Sequence, residues 1–521
     1  MKNRDLQATW AYHDGTKHSY ESLRANRHYL DWDNQPMPFK IYSALEPIPL
    51  PQQISSPGMT ALEAIATAEA ATTDPSVPSL QTLAEILYLS AGITRRRRYP
   101  GGEILFRAAA CTGALYHVDL YLVCGDLADL PAGVYHFGPH DFALRRLRAG
   151  DYRNILAQAS GIEPAIAIAP LSIVCASTYW RNAWKYQSRA YRHCYWDNGT
   201  MLANLLAAAV PRHLPARIVI GFVDDTVSRL LSLDTKREGA LSLIALGHAP
   251  SRINEFSPVV EPLVFETEPL SESEVDYPAI VAMHEASSLE NEAEVVSWRH
   301  AAAATVPVPL GAKSRSSISK SGWIPLDPLS DETIPNETLE EVIQRRGSTR
   351  QFTRESITFK QLSTLLDRGT RGIPTDFLQP GEPPLNDLYL IVHAVEDLSP
   401  GAYVFHRESR ALELLREGDI RREAGHLGLG QEIPADCSVD VFFLADLNKV
   451  LQRFGNRGYR AAQLEASVSA GKLYLAAYAQ RLGASGLTFF DDDVIDFFSP
   501  HAAGKSVMFL LALGKSARKV S

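Results

Sequence analysis

The chain repeats itself, and the length of the repeat limits what it can fold into. Tyr135 in "LPAGVYHFGPHDFALRRLRAGDYRN" faces Tyr403 in "LSPGAYVFHRESRALELLREGDIRR", and Asp151 faces Asp419, each pair 268 positions apart. Leu120-Tyr121 and Leu388-Tyr389 keep that spacing, as do Tyr191-Arg192 and Tyr459-Arg460. Further on, "LIALG" at 243–247 matches "LLALG" at 510–514, with one position lost. A period this long reads as two copies of one domain, not as a solenoid of short units. It divides the chain into a first copy at 1–250 with a leading extension at 1–78, a connector at 251–335 and a second copy at 336–521.

Each copy mixes strands with long helices. "LYLVC" and "LYLIV" read as strands, each followed by a turn and a second strand, "GVYHF" or "GAYVF". "LSIVCAST" and "VDVFFLAD" are apolar almost throughout, which marks buried strands, and "LSLIALG" and "MFLLALG" close each copy. In the second copy Ala461, Leu464, Val468, Gly471, Leu475, Tyr478 and Leu482 follow steps of three and four, the period of a helix buried on one face. Its small residues let a second helix approach closely, and Gly483 ends it. The fold class is therefore α+β, with no glycine-rich dinucleotide fingerprint after the first strand. The connector is rich in Pro, Ser and Glu and reads as extended, with one helix in "PAIVAMHEASSLENEAEVVSWRH".

Composition narrows the function. The 521 residues carry a net charge of −9, which argues against a nucleic-acid or membrane-surface role. No apolar run reaches the ~18 residues of a membrane span, and the first twenty residues hold no signal-peptide core. The five cysteines, Cys111, Cys124, Cys175, Cys194 and Cys437, form no CxxC, which suits a reduced, cytoplasmic protein. No metal-ligand motif stands out among the scattered histidines.

Against this acidic background "RRGSTRQF" at 345–352 is distinctive. Arg345, Arg346, Ser348, Thr349 and Arg350 make an anion cradle, since guanidinium forks and hydroxyls both donate to phosphate oxygens. The plain alternative is an exposed basic turn. The run "AACTGA" is small throughout, so backbone amides there can approach a flat ring. Lys185-Tyr186 offers an amine beside a phenol, either of which needs a lowered pKa to act as a base. The arginines at 95–98 read first as a mobile basic loop, with guidance of an anionic substrate as the second reading.

Taken together these motifs resemble the nitroreductase-like flavoproteins. "RRGSTRQF" is similar to their phosphate-binding start. "RAAACTGALYHVDLYLV" and "WKYQSRAYRHCYWDNG" resemble the SagB-type (thiazole/oxazole oxidase-like) branch, with Ala110-Cys111 where that branch has Pro-Ser. The resemblance implies a mostly antiparallel sheet flanked by helices in each copy, and FMN at the interface of a dimer. Here that dimer would be an intramolecular pseudo-dimer. One composite site can be assembled. Arg346, Ser348 and Arg350 of the second copy would hold the phosphate beside a helix start, with Lys515 and Arg518 adding charge. Ala110, Cys111, Thr112, Gly113 and Ala114 of the first copy would lie against the ring, with Thr488 and Phe489 at its pyrimidine edge and Lys185 and Tyr186 as the catalytic pair.

The mirror site lacks its parts. "TKHSY" has no double arginine, "GEPPLNDLY" replaces the small loop, and Arg453-Phe454 replaces Lys185-Tyr186. The resemblance thus implies one working flavin site and ping-pong hydride transfer. The substrate would be a small organic or peptide-derived molecule, such as a peptide heterocycle or a nitro- or quinone-type acceptor, with NAD(P)H as a candidate electron donor. A non-catalytic scaffold that binds a partner is the alternative from another class.

Overall fold

Two antiparallel sheets with the same strand order frame the computed structural model, which describes residues 2–26, 28–67, 74–100, 102–250, 253, 256, 258–303 and 322–517. The first half contributes β1 (Pro47–Pro49), β2 (Ile93–Tyr99), β3 (Gly102–Arg107), β4 (Val118–Cys124), β5 (Gly133–Gly138), β6 (Ala143–Ala149), β7 (Leu171–Thr178), β8 (Ala216–Val219) and β9 (Glu238–Leu246). The second contributes β10 (Trp323–Pro325), β11 (Asn386–Val392), β12 (Gly401–His406), β13 (Ala411–Glu417), β14 (Val439–Ala445), β15 (Gly483–Leu487) and β16 (Ser506–Gly514). The orders are β1-β6-β5-β4-β7-β9-β8 and β10-β13-β12-β11-β14-β16-β15, one for one. β2 and β3 form a separate hairpin.

The registers match as closely as the orders. A bulge between Val134 and Tyr135 recurs between Ala402 and Tyr403, and one between Cys175 and Ala176 recurs between Phe443 and Leu444. All four keep the 268-residue spacing, so the sequence repeat is also a repeat of backbone irregularities. β4, β5, β7 and β9 are buried throughout, as are their counterparts β14 and β16, because helices cover both faces.

Helices Ala190–Ala209 and Arg457–Ala479 cross at the centre of the molecule. Their approach is closer than side chains allow. A Cβ on Gly199 would lie 1.9 Å from Ser467 Oγ, and one on Gly471 would lie 2.6 Å from Ala203 Cβ. Ser467 is the counterpart of Gly199, and Gly471 that of Ala203, so the crossing has the self-complementary character of a two-fold contact.

The crossing is flanked by reciprocal ion pairs. Arg457 and Arg460 of the second half reach Asp224 of the first at 2.5 and 2.8 Å. Their counterparts Arg189 and Arg192 reach Asp491 of the second half at 3.0 and 2.6 Å. All six side chains are buried. Burial alone would raise both carboxyls, but the paired guanidiniums hold Asp224 and Asp491 below the usual carboxylate range. This is the structural role expected of a Tyr-Arg pair present in both halves.

The leading extension is part of this interface. Helix Leu6–Gly15 is capped by Asp5, and just before it Asn3 donates to Phe454 O and accepts from Arg457 N. The connector holds more structure than its composition suggests. It forms two helices, Pro278–Ala286 and Glu292–Ala303, where one was expected, because the turn at Ser287–Leu289 is fastened to Asp224 and Arg460. Its Trp323–Pro325 is the edge strand of the second sheet, so that sheet begins before residue 336.

Asp491→Asn leaves two buried guanidiniums without their anion. We expect a cost of about 3–5 kcal/mol, read as a lower urea midpoint at unchanged slope; a loss under ~1 kcal/mol would show that the pairs do not carry the interface. Both carboxyls are depressed on folding, so their contribution is complete above the unfolded pKa of about 4 and is lost as pH falls through the folded values.

Candidate active site

The small loop of the first half is a shaped turn. Gly113 and Ala114 both adopt left-handed backbone, with φ of +65° and +55°, and Tyr116 follows at +46°. Only glycine suits position 113, because a Cβ there would lie 2.9 Å from Tyr186 Oη.

Two residues one turn apart on helix Ala190–Ala209 hold the loop. Asp197 accepts from Thr112 N (2.9 Å), Thr112 Oγ1 (2.7 Å), Cys111 Sγ (3.0 Å) and His117 Nε2 (2.8 Å). Thr200 donates to Ala110 O at 2.7 Å. His117 Nδ1 meets Ser177 Oγ at 2.8 Å, which fits a tautomer protonated at Nε2. Burial and the Asp197 charge push the Cys111 thiol well up, so it stays protonated and donates. Cys111, His117 and Asp197 lie close enough to suit a metal ion, their ligand atoms within 4.8 Å of one another, but each is engaged in these hydrogen bonds. Asp197, Thr200 and His117 were not singled out from sequence. The signal was the Asp-x-x-Thr step within "YWDNGT".

Lys185 and Tyr186 end helix Tyr179–Tyr186 beside this loop. Their protons behave oppositely. Partial burial, then Arg350 nearby, lowers Lys185. Burial, then the charge of Asp197, raises Tyr186, whose ring stands edge-on to His193 at 4.6 Å. The phenol therefore keeps its proton, and only the lysine is shifted in the direction a base requires.

The cradle lies across from the loop, but it follows the end of helix Leu339–Arg345 and does not begin a helix. A helix C-terminus, not an N-terminus, thus adjoins the segment, and the expected N-terminal amides are not part of it. Arg346 ties the cradle to the first half: its Nε donates to Ala108 O (2.8 Å) and its Nη2 to Arg107 O (3.0 Å). Arg345 is engaged with Glu337 and with Tyr478 O. Ser348 and Arg350 remain exposed.

Two adjoining cavities open between loop and cradle. The broad one, of about 870 Å³, runs from Ala110 and Cys111 past Arg346 and Arg350 to the β2–β3 hairpin. The narrow one, of about 190 Å³, lies between Gly113, Lys185 and Tyr186 of the first half and Tyr474, Ser485 and Thr488 of the second. They share Ala110, Cys111, Ser348 and Arg350 as walls. Three buried polar atoms on the narrow cavity lack a partner: His193 Nε2, Ser485 Oγ and Thr488 Oγ1. Buried polar groups are rarely left so, and three around one slot fit a ligand with a polar edge.

The other expected residues divide. Thr488 lines the narrow cavity. Phe489 is wholly buried behind it, tilted against Trp196, so its side chain is core. Lys515 pairs with Glu355 at 3.4 Å, and Ser516 takes the place on the cavity wall. Arg518 lies outside the described residues.

At the mirror position a cavity of about 500 Å³ remains, lined by Arg217, Gly381 and Glu465, but the backbone amides at its strand end are taken by the chain itself. Counterparts of Gly113, Asp197, Ser485, Thr488 and Phe489 are Gly381, Glu465, Arg217, Ile220 and Gly221. The carboxylate of Asp376 accepts from Ile220 N at 3.0 Å and Gly221 N at 2.8 Å, and Thr375 bridges to Ile218. Among the described residues no carboxylate caps Thr488 or Phe489 in this way. Arg453, in the place of Lys185, pairs with Glu382 at 3.0 Å.

Comparison with known proteins agrees with this fold. Residues 343–515 match the model of the nitroreductase family. A crystal structure of a provisionally named nitroreductase from Anabaena variabilis is 26% identical, with a TM-score of 0.75 over 98% of this chain and 99% of that one. A provisionally named nitroreductase of Methanocaldococcus jannaschii is 26% identical over 169 residues, 32% of this chain and 80% of that protein. The fold is a nitroreductase fold, and the likeness supports an oxidoreductase activity. Among the described residues no helix is long and apolar enough to cross a membrane.

Asp197→Asn removes the anion that raises the Cys111 thiol. Iodoacetamide should then label Cys111 faster at pH 8, by about threefold for each unit by which its pKa falls, since the roughly tenfold gain in thiolate is partly offset by weaker nucleophilicity. An unchanged rate by peptide mass spectrometry would count against Asp197 as the group that holds the thiol protonated.

Proposed function

We propose that this chain is an FMN-dependent oxidoreductase with a single flavin site, built between two copies of one domain that form their own pseudo-dimer. The observation that carries the reading is the slot with three unpartnered polar atoms, walled by both halves; at its counterpart a cavity remains, but Asp376 takes the strand-end amides. The residues present fit the group. Ala110, Cys111, Thr112, Gly113 and Ala114 offer a flat, small wall, Thr488 and Ser485 offer hydroxyls at one edge, and Ser348 and Arg350 face the anionic end.

Bound flavin would supply hydride transfer, alternately reduced and reoxidised in two half-reactions at one site. The protein's part is to move the proton that accompanies the hydride. Lys185 is the base, because burial and Arg350 favour its neutral amine. Tyr186 is a hydrogen-bond donor that keeps its proton and orients the substrate over Gly113. The slot suits a small organic or peptide-derived substrate that gives up hydride, with a nitro- or quinone-type acceptor taking the electrons in the second half-reaction. Where such an acceptor is the substrate, NAD(P)H is the candidate donor and the Lys185 ammonium returns the proton. The cytoplasm is the proposed compartment.

Purified protein should be yellow, with absorbance near ~450 nm and one FMN per chain after reconstitution. A colourless protein that cannot be reconstituted would be a partner-binding scaffold instead. With FMN saturating, activity should rise with pH through a pKa below the ~10.4 of free lysine. Lys185→Met should abolish that rise and lower kcat by about 10²-fold or more, with flavin content unchanged. Arg350→Ala should move the rise to higher pH, since it removes a cation that lowers the amine. If Tyr186→Phe abolished the rise and Lys185→Met did not, the two roles would be reversed.

A further inference from the structure

The cradle at 345–350 is short of unengaged charge for a phosphate dianion. Arg345 is engaged with Glu337, and Arg346 with three backbone carbonyls, those of Arg107, Ala108 and Gly347. Among the described residues Arg350 is the one cradle cation left without a partner, and the Ser348 hydroxyl meets Tyr474 Oη at 3.5 Å, although the broad cavity is the place where the anionic end would lie.

The hairpin supplies what is missing. In β2 the four consecutive arginines alternate between two faces, as strand geometry requires. Arg96 and Arg98 both point to Glu103, each at 3.4 Å, on the outer face. Arg95 and Arg97 line the broad cavity. Arg95 stacks over Phe106, its direct partner in β3, with the guanidinium carbon 4.7 Å from the ring centre. Its Nη2 lies 3.8 Å from where a Cβ on Gly347 would be, so it already touches the cradle. Among the described residues neither Arg95 nor Arg97 makes an ion pair.

We infer that Arg95 and Arg97 clamp the phosphate of the bound flavin together with Ser348 and Arg350, while Arg346 fastens the cradle to the first-half loop. The inference rests on the FMN reading above. It gives the hairpin's charge alternation a purpose: the outer pair is neutralised by Glu103, and the inner pair is kept for the ligand. Each planar guanidinium can fork two phosphate oxygens, so the pair adds donors and positive charge that Arg350 alone does not supply for a dianion.

The test compares FMN with riboflavin, which lacks the phosphate. Affinities are read by quenching of flavin fluorescence on binding to the full chain. Wild-type protein should prefer FMN by about tenfold or more. Arg95→Ala with Arg97→Ala should weaken FMN by about that factor and leave riboflavin within about twofold, which also shows that the variant is folded. Arg95→Lys with Arg97→Lys should lose part of the preference. Arg96→Ala with Arg98→Ala removes the same charge from the outer face and should leave the preference intact.

An unchanged ratio in the Arg95/Arg97 variant would overturn the inference, and would place any anion held by the hairpin on a second substrate. Equal weakening of both flavins would also overturn it, making the hairpin a wall and not a phosphate clamp. Wild-type protein that binds neither flavin would overturn the FMN reading and this inference with it.

Discussion

Everything at the candidate site depends on the buried, reciprocal pairing of arginines from each half with an aspartate of the other. Arg457 and Arg460 hold Asp224, and Arg189 and Arg192 hold Asp491. A buried carboxylate is costly unless fully paired, so each half presents a group that is stable only when the other is docked. The pairs bracket the Gly199–Ser467 and Ala203–Gly471 contacts, where the helices meet too closely for another register. That fixed crossing positions Asp197 and Thr200 on one helix and Tyr474 on the other. The loop at Ala110–Ala114 and the strand end at Ser485–Thr488 therefore meet across one narrow slot. Arg346 adds the last tie, from the cradle to the carbonyls that precede the loop.

Much of this was legible in the sequence because the repeat is long and gap-free. Constant spacing from Leu120 to Arg192 required the same strand order twice, and the alternating or wholly apolar runs required strands buried as observed. The small-residue helix around Gly471 predicted a close helix neighbour, and Gly471 does pack on Ala203. The connector was less legible. Pro and Ser clusters suggest extended chain, yet contacts far away in sequence make helix Pro278–Ala286 and strand Trp323–Pro325 ordered parts of the two halves.

The site was legible as a set of residues but not as a set of roles. "RRGSTR" advertised positive charge, but spacing cannot show that Arg346 faces carbonyls or that the segment follows a helix end. Lys185 and Tyr186 are adjacent in sequence and read as one acid–base unit. Their surroundings separate them, since Arg350 faces the amine and Asp197 faces the phenol. The hairpin arginines read as one charge run because alternation matters only once β2 is known to be a strand over a cavity.

The asymmetry between the two composite positions comes down to which partner each central carboxylate finds. Asp197 meets a loop with donors to offer, Thr112 N, Thr112 Oγ1 and the Cys111 thiol. Its counterpart Glu465 meets a segment with Pro380, Pro383 and Pro384, where three backbone donors are missing. With its longer side chain it turns to Asn386 N and Nδ2 at the start of β11, at 3.1 and 2.6 Å. The segment it would have shaped runs to the other half, and Asp376 occupies the amides of Ile220 and Gly221. A ligand edge that needs those amides is excluded there by a buried carboxylate of the protein's own, while the equivalent strand end beyond Leu487 is left with an unpartnered hydroxyl on Thr488.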